Sequence, residues 1–284
     1  MPAELIDGKL IAKQVEREVS EGVAAFRKQH GRAPALRLIL VGDDADSHSF
    51  VRSKDRVLVA TGIASDVQHL PAGISEADLC ERVRAANADP EVDAILIQLP
   101  LPASIDTDRV LATINPLKDV DGLTPHNAGL LALGKPGLVP GTPRGCLRLL
   151  DEVKCELAGK RALVIGRSAL VGRPMALLLL ARGATLSIAH SQTTDLDRLV
   201  SEADVVIAAA GKLGLVRGEW IKLGAVVLDV GLNRDANGKR CGDVDFAVAR
   251  ERASFITPVP GGVGPMTAVM LAANTLTAAQ RRLG

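Results

Sequence analysis

Tyrosine is missing altogether from the 284 residues, and aromatic side chains of any kind amount to 2%, four Phe and one Trp. A hydrophobic share of 47% must then come mainly from Ala, Val, Leu and Ile, a composition suited to buried parallel strands covered by helices. Neither sign of charge predominates, with 34 Lys+Arg against 33 Asp+Glu. So even a balance offers no large field to draw in nucleic acid or an anionic membrane, and a small-molecule partner is expected. The four cysteines, Cys80, Cys146, Cys155 and Cys241, include no CxxC pair. No metal site is therefore expected, and reduced thiols in a cytoplasmic protein are the plain reading. The longest obvious apolar run, Met175 to Ala181, is far too short to cross a bilayer. The opening residues, Met1 to Lys9, have neither a basic region nor an apolar signal core.

The length suggests about two domains at ~150 residues each. Residues 9–30 repeat apolar side chains every three or four positions, Leu10, Ile11, Val15, Val19, Val23 and Phe26, and read as a helix. Leu36 to Val41 is a strand stopped by Gly42-Asp43-Asp44, and a helix over residues 50–58 follows, closed by Thr61-Gly62. Ile63 to Leu70 is a weaker strand. Ser75 and Asp78 form a capping-box-like helix start reaching about Asn87. Asp93 to Gln98 is a buried strand, and Asp106 to Ile114 a short helix. Beyond Asp121-Gly122 the same alternation resumes: a helix from Pro143 to about Val153, a strand at Arg161 to Ile165 and a helix at Val171 to Arg182. Strands follow at Ala184 to Ala189, Val205 to Ala209 and Val226 to Val230, with a hairpin turn at Asp235 to Gly238 and a last helix from about Pro265 to Arg282. Alternation of this kind predicts parallel sheets, an α/β fold.

Two stretches carry chemistry. Arg161-Ala-Leu-Val-Ile-Gly166-Arg-Ser-Ala-Leu-Val-Gly172 reads as strand, glycine turn and helix start, which aims backbone N–H groups at a phosphate. It departs from GxGxxG because Ser168 stands where the second glycine would be. The next strand ends in His190-Ser191-Gln192 rather than in the acid that would bond an NAD ribose. A hydroxyl and a nearby cation, Arg167 first and Arg173 second, suit a 2′-phosphate, so NADP is expected over NAD. His190 reads as a strand-end polar residue.

The second stretch is the helix at 50–58, which sets Phe50, Val51, Lys54, Val57 and Leu58 along one side. A lysine in an apolar stripe can lay its methylenes on the surface and send its amine to water. It can equally be a desolvated amine whose pKa falls towards that of a useful base. Gln98 ends an apolar strand, where open α/β sheets bind ligands, and Asp121 precedes a glycine. Each also has a structural reading, as a strand terminator and a turn former.

Taken together, Val41-Gly-Asp-Asp, Ser47-His-Ser-Phe-Val-Arg-Ser-Lys54, Gln98-Leu-Pro-Leu-Pro102, Lys118-Asp-Val-Asp-Gly-Leu123, Gly166-Arg-Ser168 with Val171-Gly172, and Thr257-Pro-Val-Pro-Gly-Gly-Val-Gly-Pro-Met-Thr267 resemble the bifunctional methylenetetrahydrofolate dehydrogenase/methenyltetrahydrofolate cyclohydrolase family. The match runs in order through nearly the whole chain. The resemblance implies two α/β domains flanking a cleft: a folate-binding catalytic domain with a parallel sheet, residues 1–122 plus 265–284, and a Rossmann-like NADP-binding domain, residues 123–264. A homodimer is also implied. It further implies oxidation of 5,10-methylenetetrahydrofolate with NADP+, then hydrolysis to 10-formyltetrahydrofolate.

By the same resemblance Lys54 is the catalytic base or proton relay, Gln98 holds its amine, and Asp121 binds the polar edge of the pterin. Gly166, Arg167, Ser168 and Val171 form the phosphate turn, and Ser191 and Leu232 add cofactor contacts. The 257–267 segment, with Pro260, Gly261 and Gly262, walls the folate side, and its prolines are candidates for a cis bond. One position departs from the family pattern. Phe50 stands where a tyrosine is common, which keeps a stacking ring but removes a hydroxyl. Two narrower expectations follow, a dehydrogenase with weak or lost cyclohydrolase activity and a non-catalytic NADP- or folate-binding sensor.

Overall fold

The structure, a computed structural model, describes residues 2–283. The chain begins β1 (Glu4–Leu5), α1 (Gly8–His30), β2 (Ala35–Val41), α2 (Ala45–Ala60), β3 (Ala64–Leu70), α3 (Glu76–Ala88), β4 (Ala94–Ile97), α4 (Thr107–Thr113) and α5 (Pro125–Ala132). It continues α6 (Gly141–Glu152), β5 (Arg161–Ile165), α7 (Gly172–Ala181), β6 (Thr185–Ala189), α8 (Leu196–Glu202), β7 (Val205–Ala208), β8 (Val226–Asp229), β9 (Asn233–Arg234), β10 (Arg240–Cys241), α9 (Phe246–Arg250), β11 (Phe255–Ile256) and α10 (Val263–Leu283). Among the described residues, no helix is long and apolar enough to cross a membrane.

Two compact units result, Lys13–Gly141 with Ala268–Gly284, and Met1–Ala12 with Thr142–Thr267. The first holds a parallel sheet in the order β3-β2-β4. Its central strand buries Leu36, Leu38, Ile39 and Leu40, as expected of a strand covered on both faces. β3 is one of the two edges and carries polar Asp66, Gln68 and His69. In α1 the apolar stripe is buried from Ile11 to Phe26, but Leu10 is 58% exposed and lies off it. Asp44 caps α2 by accepting from the Ser47 N–H at 2.8 Å, and Ser75 caps α3 by accepting from Asp78 N–H at 3.1 Å. A wholly buried carboxylate, Asp93, accepts from Arg32 at 2.6 and 2.8 Å and from Arg282 at 2.8 Å, so one charge fastens the end of α1 and the end of α10 to β4.

The other unit is a parallel sheet in the order β1-β11-β8-β7-β5-β6. β5, β7 and β8 bury nearly every residue and form its interior with Val200, Val216 and Ile221. The hairpin expected at Asp235 to Gly238 joins β9 to β10, its turn held by the Asp235 carboxylate accepting from Asn237 and Lys239 N–H, each at 2.9 Å.

The compact units also take in residues at two places away from the expected boundary near 122. Residues 1–12 group with the six-stranded sheet because Glu4 and Leu5 pair with Phe255 and Ile256. Residues 123–141 group with the three-stranded unit because the Asn274 amide on α10 donates to Val120 O at 2.7 Å and Val139 O at 2.8 Å, tying both ends of that segment to one helix.

Candidate active site

In the three-stranded unit the strand ends and helix starts converge on an amine. Gly42, at φ +82°, turns the chain out of β2, and the capped start of α2 follows. Three turns of helix later Lys54 projects its Nζ to Gln98, donating to Oε1 at 2.9 Å. Gln98 is 6% exposed and sits one residue past β4, its own N–H held by Ile39 O at 2.8 Å and its amide donating to Leu99 O at 2.6 Å. The side-chain amide is thus oriented from both ends, with oxygen facing the lysine. The Leu99–Pro100 bond that follows is cis.

Loss of water around the Lys54 amine lowers its pKa below the usual lysine range, opposed by the negative charge of Asp121. Asp121 moves the other way: desolvation raises its pKa, Lys54 opposes this, and Asp119 adds to it. Lys54, Gln98 and Asp121 therefore form one coupled group. Phe50, four residues before Lys54 on α2, is 43% exposed. Its ring is open to a ligand and offers no hydroxyl.

What holds Asp121 is a scaffold that the motif Lys118-Asp-Val-Asp121 hides. Lys118 is buried, its pKa pulled down to about 8 by burial, and its amine donates to Ala86 O, Asn87 O and Asp89 O at 2.8–2.9 Å. Asp119 is also buried and accepts from Leu123 N–H, Thr124 N–H and Asn127 Nδ2 at 2.8–3.2 Å. Buried charges are tolerated only when so satisfied. Sequence reading singles out Asp121 and passes over Lys118, whose carbonyl partners are brought in by the fold, and Asp119, whose donors follow it within eight residues. A repeated charge beside the core residue Val120 is the signal that could have found them.

In the six-stranded unit, Gly166 ends β5 at φ +121°, and a Cβ there would overlap the carbonyl oxygen of Ala209. A Cβ on Gly172 would overlap the carbonyl of Gly166 in turn. Only glycine permits both approaches. Ser168 Oγ accepts from the N–H groups of Val171 at 3.2 Å and Gly172 at 3.3 Å, the second being the first N–H of α7. Arg167 and Ser168 are exposed, as is Ser191, while His190 uses Nδ1 to accept from Gln192 N–H at 3.2 Å and so serves the turn after β6. A glycine-built turn at a helix start, an exposed hydroxyl, an exposed guanidinium and no acid at the end of β6 suit a dinucleotide bearing a 2′-phosphate.

Leu232 is 52% exposed, and the turn that carries it is fixed from beneath by two carboxylates absent from the sequence expectations. Asp229 accepts from Gly231 and Asp243 N–H with one oxygen and from Val244 N–H with the other, at 2.9–3.0 Å. Burial raises its pKa to about 6. Asp243 accepts from the N–H groups of Ala210, Gly211 and Lys212 and from Asn233 Nδ2, at 2.7–3.0 Å. Thr257 joins the set, its hydroxyl accepting from Asp229 N–H at 2.8 Å, and leads into Val259–Pro260, a cis bond as expected of this segment. Pro260 is exposed, and Gly262 donates to Pro258 O at 2.8 Å with no room for a side chain.

Comparison with known proteins matches the chain in two successive parts. The sequence model of the tetrahydrofolate dehydrogenase/cyclohydrolase catalytic domain matches residues 6–121, and that of the NAD(P)-binding domain of the same family matches residues 140–283. The chain is 57% identical to the bifunctional protein FolD of Sorangium cellulosum, over all of this chain and 99% of that one. Among solved structures, the FolD methylenetetrahydrofolate dehydrogenase/cyclohydrolase of Campylobacter jejuni superposes with a TM-score of 0.97 at 44% identity, over 99% of this chain and 100% of that one. The enzyme of Trypanosoma brucei, solved with NADP cofactor and an inhibitor, gives 0.96 at 41% identity, over 100% and 99%. With its two domains matched in order over nearly their whole length, the chain belongs to the tetrahydrofolate dehydrogenase/cyclohydrolase family.

Proposed function

We propose that this protein oxidises 5,10-methylenetetrahydrofolate to 5,10-methenyltetrahydrofolate with NADP+ and hydrolyses the product to 10-formyltetrahydrofolate. The observation that carries this reading is the Lys54 amine, desolvated, held by Gln98 at 2.9 Å and coupled to Asp121. Gly166, Arg167, Ser168, Val171, Ser191 and Leu232 hold NADP, which supplies the hydride acceptor when bound.

The chain's own residues then do three things. Asp121 presents two carboxylate oxygens to the paired N–H donors of the pterin edge, a contact that favours its ionised form. Gln98 takes one N–H of Lys54 and so fixes where the remaining hydrogens and lone pair point. Lys54, its pKa lowered by burial, is the base placed to take a proton from the water that attacks the methenyl carbon. Phe50 stacks, while Pro260, Gly261 and Gly262 line the folate. Oxidation asks mainly for alignment of donor and acceptor carbons, and hydration asks for the base.

Neither narrower expectation, lost cyclohydrolase activity or a non-catalytic sensor, has support in a site whose three polar groups are assembled. Mixing the protein with methylenetetrahydrofolate and NADP+ and following methenyl absorbance tests the reading: rise and decay are expected, and no rise would defeat it. We further propose that the protein works in the cytoplasm as a homodimer. Four free cysteines support a reducing compartment, the dimer rests on the family resemblance, and light scattering reads it directly.

A further inference from the structure

Strand pairing brings His69 beside Asp43 and His48, five residues apart in sequence, at a place outside the amine site. Asp43 follows the turn out of β2, His48 lies in the first turn of α2, and His69 lies on β3, whose register with β2 sets it opposite Leu40. We propose that Asp43, His48 and His69 form a binding site for a divalent transition cation of the zinc type. Asp43 Oδ1 is 3.3 Å from His69 Nε2 and 3.8 Å from His48 Nε2, and the three donor atoms all lie within 4.8 Å of one another. Ligand atoms around tetrahedral zinc stand about 3.3–3.4 Å apart, given bonds of about 2.0–2.1 Å. The observed spacing is within small side-chain adjustments of that figure.

Ring geometry agrees. The two imidazoles have centroids 4.9 Å apart and planes at 83°, edge to face rather than stacked, so both Nε2 atoms address the same carboxylate oxygen. The carbonyl oxygen of Gly42, 2.9 Å from His69 Nε2, accepts the ring proton in the metal-free chain. With the proton on Nδ1 instead, the same edge offers Nε2 to a metal and the carbonyl as a further oxygen donor. Two imidazole nitrogens with oxygen ligands suit zinc, nickel or copper over magnesium or calcium. Side-chain exposures of 30% for His48, 45% for His69 and 84% for Asp43 leave an entry path. A bound ion would tie the start of α2, the helix bearing Phe50 and Lys54, to the edge strand.

The test uses tag-free, chelator-treated full-length protein titrated with Zn2+ against a chromogenic chelator, with Co2+ as a spectroscopic probe. About one tight equivalent is expected, with visible cobalt bands and no thiolate charge-transfer band. His48→Gln and His69→Gln should each weaken binding at least about tenfold, the floor set by losses of mere supporting contacts. Asp43→Asn should do likewise, and because that side chain is the most exposed of the three, its variant keeps the fold if either histidine variant does not. Zn2+ should raise the melting temperature of the parent and not of the variants. Affinity within about twofold of the parent in all three variants, or cobalt spectra dominated by thiolate, as from Cys155 or Cys241, would overturn the proposal.

Discussion

The Nζ of Lys54 stands 2.9 Å from Oε1 of Gln98, joining the middle of α2 to the residue that ends β4. A lysine within an apolar stripe is thereby explained: the stripe dries the amine, and a single oriented amide replaces part of the lost hydration. Lys54→Met keeps length and apolar packing and removes the amine. Hydration should fall by about two orders of magnitude or more, the usual contribution of a positioned base. NADP affinity and the melting temperature should stay near those of the parent. Methenyl decay measured at the parent rate would defeat the assignment. In the parent, the hydration rate should rise with pH as the amine loses its proton, with a midpoint below the ordinary lysine range because burial lowers that pKa.

Phe50 leaves the proton-transfer step without a hydroxyl one helical turn from the amine. Phe50→Tyr restores it at a position 43% exposed, where the added atom meets no crowding from the core. A hydrogen bond worth about 0.5–1.5 kcal/mol should speed hydration by up to roughly an order of magnitude and leave the dehydrogenase rate unchanged. Stopped-flow comparison of methenyl formation and decay in the two proteins measures both. An equal decay rate removes the hydroxyl from the account.

Arg167 is exposed beside the glycine turn. If its guanidinium meets the 2′-phosphate, Arg167→Gln should raise the KM for NADP+ by about ten- to a hundredfold, as expected for a charge-assisted hydrogen bond of roughly 1.5–3 kcal/mol. The KM for NAD+ should barely move. An equal change for both cofactors would transfer the discrimination to another residue, Arg173 being the first to try.

How far these residues could be read from sequence depends on whether their partners are local. Strands β2, β4, β5, β7 and β8 announce themselves as apolar runs ended by Gly42, Gln98, Gly166 and the residues after 208 and 229, and the structure differs from their expected bounds by at most one residue at either end. β1 and β11 are two residues each, too short for any period. Three helices, α5, α8 and the five-residue α9, lie outside the expected set. α5 carries a visible signal, Thr124 capping with Pro125 just inside, whereas Asp195 before α8 sits at φ +54° and caps nothing with its side chain. Gln98 was legible because a polar residue interrupts an apolar run. Asp229 and Asp243 were not, since what makes these buried carboxylates acceptable is a set of N–H groups brought mostly from distant parts of the chain.

Asp93 anchors α1 and α10 to β4 with a side chain that is wholly buried between Arg32 and Arg282. Removing one member of such a set leaves uncompensated charge, at about 3–5 kcal/mol. Asp93→Asn should therefore shift urea unfolding by an amount of that order, with catalysis per folded molecule intact. A loss below about 1 kcal/mol would mean the arginines find water instead.

Asp229 sets a pH dependence of stability. Burial raises its folded pKa to about 6 from the ordinary 3.8, so between those values the folded chain holds a proton that the unfolded chain has released. The stabilisation is complete below the unfolded value and is lost as pH rises through 6, at about 1.4 kcal/mol per pKa unit. Asp229→Asn has no such proton. Its amide can replace only one oxygen as acceptor for Gly231, Asp243 and Val244 N–H, so the variant should be less stable than the parent throughout. The gap should narrow by about 1 kcal/mol between pH 5 and pH 7.5, because only the parent loses stability over that interval. Urea unfolding of both proteins at the two pH values measures the gap, and a gap independent of pH would mean that the backbone N–H groups hold the folded carboxyl at its ordinary pKa.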